Sequence, residues 1–272
     1  MKRLVYFISD GTGITAETLG HSLLSQFTGV TFELNTLPYV DSLEKAQEAV
    51  DEINIQGAAS QCLPIVFSSI VNPVIRDNLA TATAQTLDLF ERFLPALTST
   101  LEQQPNHLVG QSHSIDNNPS YTQRIEAVHY ALDNDDGQQL KDYENADLIL
   151  VGVSRCGKTP TCLYLALHFG IRAANYPITE EDMHKNSLPA ALQAHRHKLF
   201  GLTIDSERLA SIRHERRANS HYASFEQCDY EVRFVESILK KSRVPILNST
   251  HLSIEEISAK ILKDAGFNRH LA

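Results

Sequence analysis

The chain has 272 residues, 42% apolar and 21% charged, enough to bury one large core or two smaller ones. Its formal charge of −9 argues against nucleic acid or an anionic membrane surface as the main partner. No apolar run approaches the roughly 20 residues of a membrane span. The run after Lys2 and Arg3 stops within about half a dozen residues, short of a signal-peptide core, so a cytoplasmic protein is the expectation. Four cysteines, Cys62, Cys156, Cys162 and Cys228, show no C-x-x-C pairing and read as reduced thiols, not as a zinc site.

Strands and helices alternate over the first hundred residues. Residues 4–9 form a short apolar run, then Asp10-Gly11-Thr12-Gly13 makes a turn. A helix is expected over 14–27 with Leu19, Leu23 and Phe27 on its buried face. Val30, Phe32 and Leu34 alternate as in a strand. Leu43, Ala46, Val50 and Ile53 recur at helical spacing, residues 63–67 read as a buried strand, and Phe90, Phe93, Leu94, Leu97 and Leu101 mark another helix. Such alternation predicts a parallel sheet covered on both faces.

Between residues 103 and 121 the apolar period is lost among Pro105, Asn106, Gly110, Ser112, Ser114, Asn117, Asn118 and Pro119. This is the expected domain boundary. It divides the chain into an N-terminal Rossmann-like α/β domain over 1–105 and a C-terminal P-loop kinase-like α/β domain over 106–272. The second half resumes with a helix over 121–134 and an apolar strand over 147–151. A helix ending near Gly170 follows, then a strand over 199–204, another over 244–247, and a last helix from Ile254. Ser253 and Glu256 of that helix stand at capping-box spacing, and Ile254, Ile257 and Ile261 form its expected buried face.

Gly152-Val153-Ser154-Arg155-Cys156-Gly157-Lys158-Thr159 satisfies G-x-x-x-x-G-K-[ST] at every fixed position, with an apolar strand before it and an apolar helix after it. The chemistry explains the residue types. The glycines let backbone N–H groups turn inward around phosphate oxygens, and the helix aims its positive end at the same point. Lys158 would neutralise the transferred or terminal phosphate, and the Thr159 hydroxyl would ligate Mg²⁺. All eight residues are therefore candidate nucleotide-binding positions.

Asp205 ends a mostly apolar strand, where a second Mg²⁺-directed carboxylate usually sits; a helix cap is the equal alternative. Over 195–217, six basic residues face three acids. Arg208, Arg213, Arg216 and Arg217 there suggest either a lid over phosphates or a solvated helix face. Asp10 lies at the carboxyl end of a strand and reads as a base, a Mg²⁺ contact or a turn residue. Asp133, Asp135 and Asp136 cluster before Gly137, as a solvated turn or as the home of a base. His113 lies in the polar linker.

With these residues in view, the chain resembles the regulatory proteins of phosphoenolpyruvate synthetase and pyruvate, phosphate dikinase. The resemblance runs nearly end to end. It rests on the run from Ile8 to Glu17, on Asp135-Asp136-Gly137, on the loop continuing into Pro160-Thr161, on Ala173-Ala174-Asn175-Tyr176-Pro177, and on the run from Phe200 to Asp205. Cys156-Gly157-Lys158 is closer to the synthetase branch. The resemblance implies an ADP-dependent protein kinase that phosphorylates a threonine beside the target's catalytic histidine. It also implies removal of that phosphate by inorganic phosphate as co-substrate, yielding pyrophosphate. Asp10 or Asp136 would be the base, with Asp10 preferred because it ends a core strand. Where the family pattern leads one to expect a histidine before the acidic pair, this chain has Asn134. Two other readings stay open: a small-molecule or nucleotide kinase, and a non-catalytic nucleotide-sensing module. Oligomeric state also stays open, a homodimer being one option.

Overall fold

The computed structural model describes residues 2–109, 119–185, 187–218 and 220–267. Residues 110–118 of the polar linker, His113 among them, lie outside the described residues. The chain divides into two compact units, Met1–Ser114 and Ile115–Ala272.

The first unit runs β1 (Lys2–Ile8), α1 (Ile14–Leu24), β2 (Thr31–Leu37), α2 (Leu43–Ser60), β3 (Ile65–Ser68), α3 (Pro73–Leu79), β4 (Gln85–Asp88) and α4 (Leu89–Leu101). Its strands form one all-parallel sheet in the order β2-β1-β3-β4. The central strand β1 is buried from Leu4 to Ile8. Tyr6 and Ile8 pack with Ala46, Val50 and Ile53 of α2 on one face, and Val5 and Phe7 pack with Ala16 and Leu24 of α1 on the other. Fully burying side chains of this size stabilises by about 1.5–3 kcal/mol each.

The buried face of α1 differs from the expected one. Ala16, Gly20 and Leu24 are buried, while Leu23 and Phe27 are exposed. The reason is steric: a Cβ at Gly20 would run into the Phe7 ring. The helix lies on the sheet through its smallest residues, which turns its larger ones outward. Leu43 of α2 is likewise exposed, and α4 buries none of its residues, with Phe93, Leu97 and Leu101 exposed.

The second unit runs α5 (Pro119–Asp133), β5 (Leu148–Gly152), α6 (Lys158–Phe169), β6 (Ala173–Pro177), α7 (Glu180–His184), α8 (Ala190–Gln193), β7 (Leu199–Thr203), α9 (Ser206–Arg216), α10 (Phe225–Lys241), β8 (Ile246–Asn248) and α11 (Ile254–Asp264). Its sheet is also all parallel, ordered β6-β5-β7-β8. Strands β5 and β7 are buried along their whole length, as near-continuous apolar runs inside a two-faced parallel sheet should be. The capping box of Ser253 and Glu256 opens α11. Ile257 and Ile261 are buried there, whereas Ile254 in the first turn is exposed. Gly170 closes α6 in a left-handed conformation, φ 65°.

Each sheet places its first strand centrally, with its second strand on one side and its third on the other. That arrangement creates a switch point at the carboxyl end of the first strand, where open α/β sheets bind ligands. In the second unit, the segment at that position is the loop 152–159.

Candidate active site

The loop leaves β5 at Gly152 and enters α6 at Lys158. A Cβ at Gly152 would strike the Leu202 carbonyl of β7, so glycine is what allows the two backbones to lie together. Gly157 meets nothing nearby but holds φ 98°, and Arg155 also sits in the left-handed region at φ 78°. These turns fold the backbone around the amino end of α6, whose first N–H groups have no side-chain cap. Lys158 is 4% exposed, and its ammonium donates to the Val153 carbonyl at 2.8 Å. A fixed positive charge thus stands inside the curve of the loop, in the geometry that favours phosphate.

A cavity of about 200 Å³ opens here, lined by Asp136, Ser154, Arg155, Gly157, Lys158 and Thr159 together with Pro160. The acidic turn 135–137 forms one wall. Asn175 of β6 clamps it: its amide donates to Asp135 Oδ1 at 2.5 Å and accepts from the Asp136 N–H at 3.2 Å. The Thr159 hydroxyl donates to the same Asp135 Oδ1 at 2.8 Å. Asp136 is held at φ 49°, is exposed, and is among the residues lining the cavity. Asn134, where the resemblance leads one to expect histidine, is buried. Its side-chain NH2 donates to the Tyr130 carbonyl and to Asp142 Oδ2, and its backbone carbonyl accepts the Asn175 backbone N–H. It pins the turn to the sheet.

The loop is braced from beneath. Arg213 of α9 is fully buried, paired with Glu231 of α10 at 2.6 Å, and donates to the Ser154 carbonyl at 3.2 Å. Its guanidinium lies 4.0 Å from the centre of the Tyr222 ring, and the Tyr222 hydroxyl bonds Ser154 Oγ. Burial works against the charge on Arg213, but the hydrogen bond and charge of Glu231 more than offset it and hold its pKa above the ordinary value. Ser249, after β8, donates to the Cys156 carbonyl at 2.9 Å. Burial pushes the Cys156 thiol above its usual value, keeping it a neutral packing group.

Magnesium favours hard oxygen ligands and keeps waters and substrate phosphates as partners, so it needs only one or two protein donors. Thr159 and Asp135 are oxygen donors in contact, and the residues fit such an ion. Among the described residues no cluster of three or more His, Cys, Asp or Glu is arranged to cage a metal.

The kinase/pyrophosphorylase family profile matches residues 5–262. The chain belongs to the kinase/pyrophosphorylase family. Two proteins of Pseudomonas fluorescens, strains Pf-5 and Pf0-1, are each 58% identical to it over 269 residues, covering 99% of both chains. One from Pseudomonas savastanoi pv. phaseolicola is 57% identical over the same span. All three carry the name "Putative phosphoenolpyruvate synthase regulatory protein". The resemblance seen in the sequence is thus a family membership, and its activity class is kinase-type phosphoryl transfer.

The expected site residues are drawn from both units. Lys158, Thr159, Asp136, Ser154, Arg155 and Gly157 come together in one cavity, which Gly152, Val153 and Cys156 do not line. Asp10 belongs to the first unit, beside Ser9, Gly11, Thr12 and Ser69 in a smaller cavity of about 80 Å³, where its carboxylate accepts the Val71 N–H at 2.6 Å. Asp205 caps α9, accepting from the Glu207 and Arg208 N–H groups at 3.0 and 3.2 Å, which is the alternative its position in the sequence had allowed. The idea of an arginine lid fails at Arg213, which lies beneath the loop, while Arg208, Arg216 and Arg217 are exposed. Sequence reasoning missed Asn175, Glu231, Tyr222 and Ser249 as supports. Only Asn175 had a signal, its place in the run from Ala173 to Pro177.

Proposed function

We propose that this chain is an ADP-dependent serine/threonine protein kinase that inactivates phosphoenolpyruvate synthase, and a phosphate-dependent phosphorylase that reactivates it. The loop 152–159, with Lys158 inside its curve, carries this reading. Full-length relatives named for regulation of phosphoenolpyruvate synthase support the target.

Both reactions have one phosphorus centre in common. In the forward direction the target threonine oxygen attacks the β-phosphorus of ADP, the bridging P–O bond breaks, AMP leaves, and a base takes the hydroxyl proton. In the return direction an oxygen of inorganic phosphate attacks the phosphothreonine phosphorus. The P–Oγ bond breaks, pyrophosphate forms, and the threonine oxygen takes up a proton. The N–H groups of the loop cradle the anions in each case, and Lys158 neutralises the phosphoryl group in flight. Asp136 lines the loop's cavity and is the base this unit offers. A bound divalent cation such as Mg²⁺ would supply further charge neutralisation at the phosphate oxygens, with Thr159 among its holders.

The test uses the purified chain with phosphoenolpyruvate synthase. Synthase activity should fall when ADP is added, and should return with release of pyrophosphate when inorganic phosphate replaces ADP. A chain that binds ADP yet leaves the synthase active would support the nucleotide-sensing alternative instead.

A further inference from the structure

We infer that Asp135, not Asp205, is the carboxylate that works with Thr159 on the divalent cation of this site. The inference rests on the nucleotide-binding reading above and assigns its cation. In a loop of this kind the threonine hydroxyl must do two things. It gives its proton to a fixed acceptor, which leaves its lone pairs directed at the ion, and a nearby carboxylate supplies negative charge to the ion or to its waters.

Asp135 meets both demands. Its Oδ1 takes the Thr159 proton at 2.8 Å, so the hydroxyl is oriented by this residue and by no other in the described residues. The Asn175 amide donates to the same Oδ1 at 2.5 Å, which fixes the carboxylate plane and leaves the second oxygen, Oδ2, without a partner among the described residues. Asn175 itself belongs to β6, the immediate neighbour of β5, so the carboxylate is anchored to the same sheet as the loop. Asp205 lacks that contact: its Oδ2 is equally without a partner, but no hydrogen bond among the described residues joins its side chain to Thr159. Its Oδ1 already accepts two N–H groups at the start of α9, and its own N–H is bound by Thr250 Oγ1. The side chain is engaged in starting a helix.

This arrangement draws the carboxylate from a turn ahead of the loop strand in sequence, a place that a search for a strand-end aspartate after the loop passes over.

The experiment measures the affinity of a fluorescent ADP analogue by titration, in Mg²⁺ and in EDTA, for the wild type, Asp135→Asn and Asp205→Asn. The wild type should bind more tightly with Mg²⁺. Asp135→Asn keeps the acceptor for Thr159 in shape but removes the charge. It should lose the Mg²⁺-dependent gain while retaining the EDTA affinity, and that retained affinity also reports a folded site. Asp205→Asn should keep the full gain. If Asp135→Asn does not fold, Asp135→Ser takes its place in the same comparison. A full Mg²⁺ gain in the Asp135 variant, its loss in Asp205→Asn, or no gain in the wild type would overturn the inference while leaving ADP binding intact. Failure of the wild type to bind ADP in either medium would instead overturn the nucleotide reading and this inference together.

Discussion

Arg213, 59 residues after Ser154 in the chain, donates from Nη2 to the Ser154 carbonyl at 3.2 Å, and the same nitrogen pairs with Glu231 Oε2 at 2.6 Å. The phosphate-type loop of this protein is therefore shaped by a buried ion pair in addition to its own glycines.

Removing one partner of that pair leaves the other charge buried and uncompensated. Arg213→Ala should lower unfolding stability by about 3–5 kcal/mol, seen as a fall in the urea midpoint. It should also weaken ADP binding, because the Ser154 carbonyl loses its fixed donor. Replacing both residues, Arg213→Met with Glu231→Leu, should recover much of the stability without restoring affinity. Recovery of both would mean that the pair has no part in shaping the loop.

The two loop glycines should fail in different ways. Gly152→Ala forces a methyl against the Leu202 carbonyl, and overpacking of this kind costs about 1–3 kcal/mol or more. Gly157→Ala has open space but a φ of 98°, so it should fold and lose nucleotide affinity as the N–H cradle changes shape. Thermal melting and ADP titration on the two variants separate these effects. A Gly157→Ala protein with normal affinity would show that the turn at this position is dispensable.

The buried thiols and phenols set a pH limit. Burial raises Cys156, Cys162 and Cys228 above the usual thiol value of 9.0, and burial followed by Asp182 pushes Tyr176 up to about 12. For each such acid the folded chain holds its proton longer than the unfolded chain. The stability they contribute is complete below pH 9 and is lost as pH rises through the folded values. Unfolding midpoints should therefore fall as pH rises above about 9. At pH 7.5 a thiol reagent should reach Cys62, half-buried in the first unit, well before Cys156, Cys162 or Cys228. Fast labelling of Cys156 would contradict its burial in the loop.

Much of this fold could be read in advance, for stated reasons. Strand β5, its loop and α6 are contiguous in sequence and carry their own punctuation, from the apolar run to Gly170. Local capping chemistry likewise exposed the start of α11. Short elements escaped: α3 has seven residues, β4 is four residues of mixed burial, and β6 is largely alanine, asparagine and tyrosine. The face of α1 was misread because hydrophobic spacing favours Leu23 and Phe27, whereas the Phe7 ring admits only Gly20. In the site, the contact of Asp135 with Asn175 spans 40 residues and that of Arg213 with Glu231 spans 18. No local pattern signals such pairs, so a buried arginine reads in sequence like a solvated one.

Lys158 should matter equally in both directions of the proposed cycle. Lys158→Ala removes the one charge buried inside the loop and should reduce ADP-dependent inactivation and phosphate-dependent reactivation alike, each by about a hundredfold or more. Initial rates of both reactions on the same preparation measure this. Loss of kinase activity with unaltered phosphate removal would require a second anion site.

The central claim concerns which phosphorus moves. Phosphoenolpyruvate synthase, Mg²⁺ and the purified chain are incubated in parallel with ADP carrying ³²P in the β position and with ADP carrying it in the α position. The synthase is then recovered and its phosphoamino acids are separated. The account predicts label on threonine from the β-labelled nucleotide alone, with AMP formed in equal amount, and its release as labelled pyrophosphate when inorganic phosphate is added. Absence of label on the synthase, or label that arrives from the α position, would contradict it.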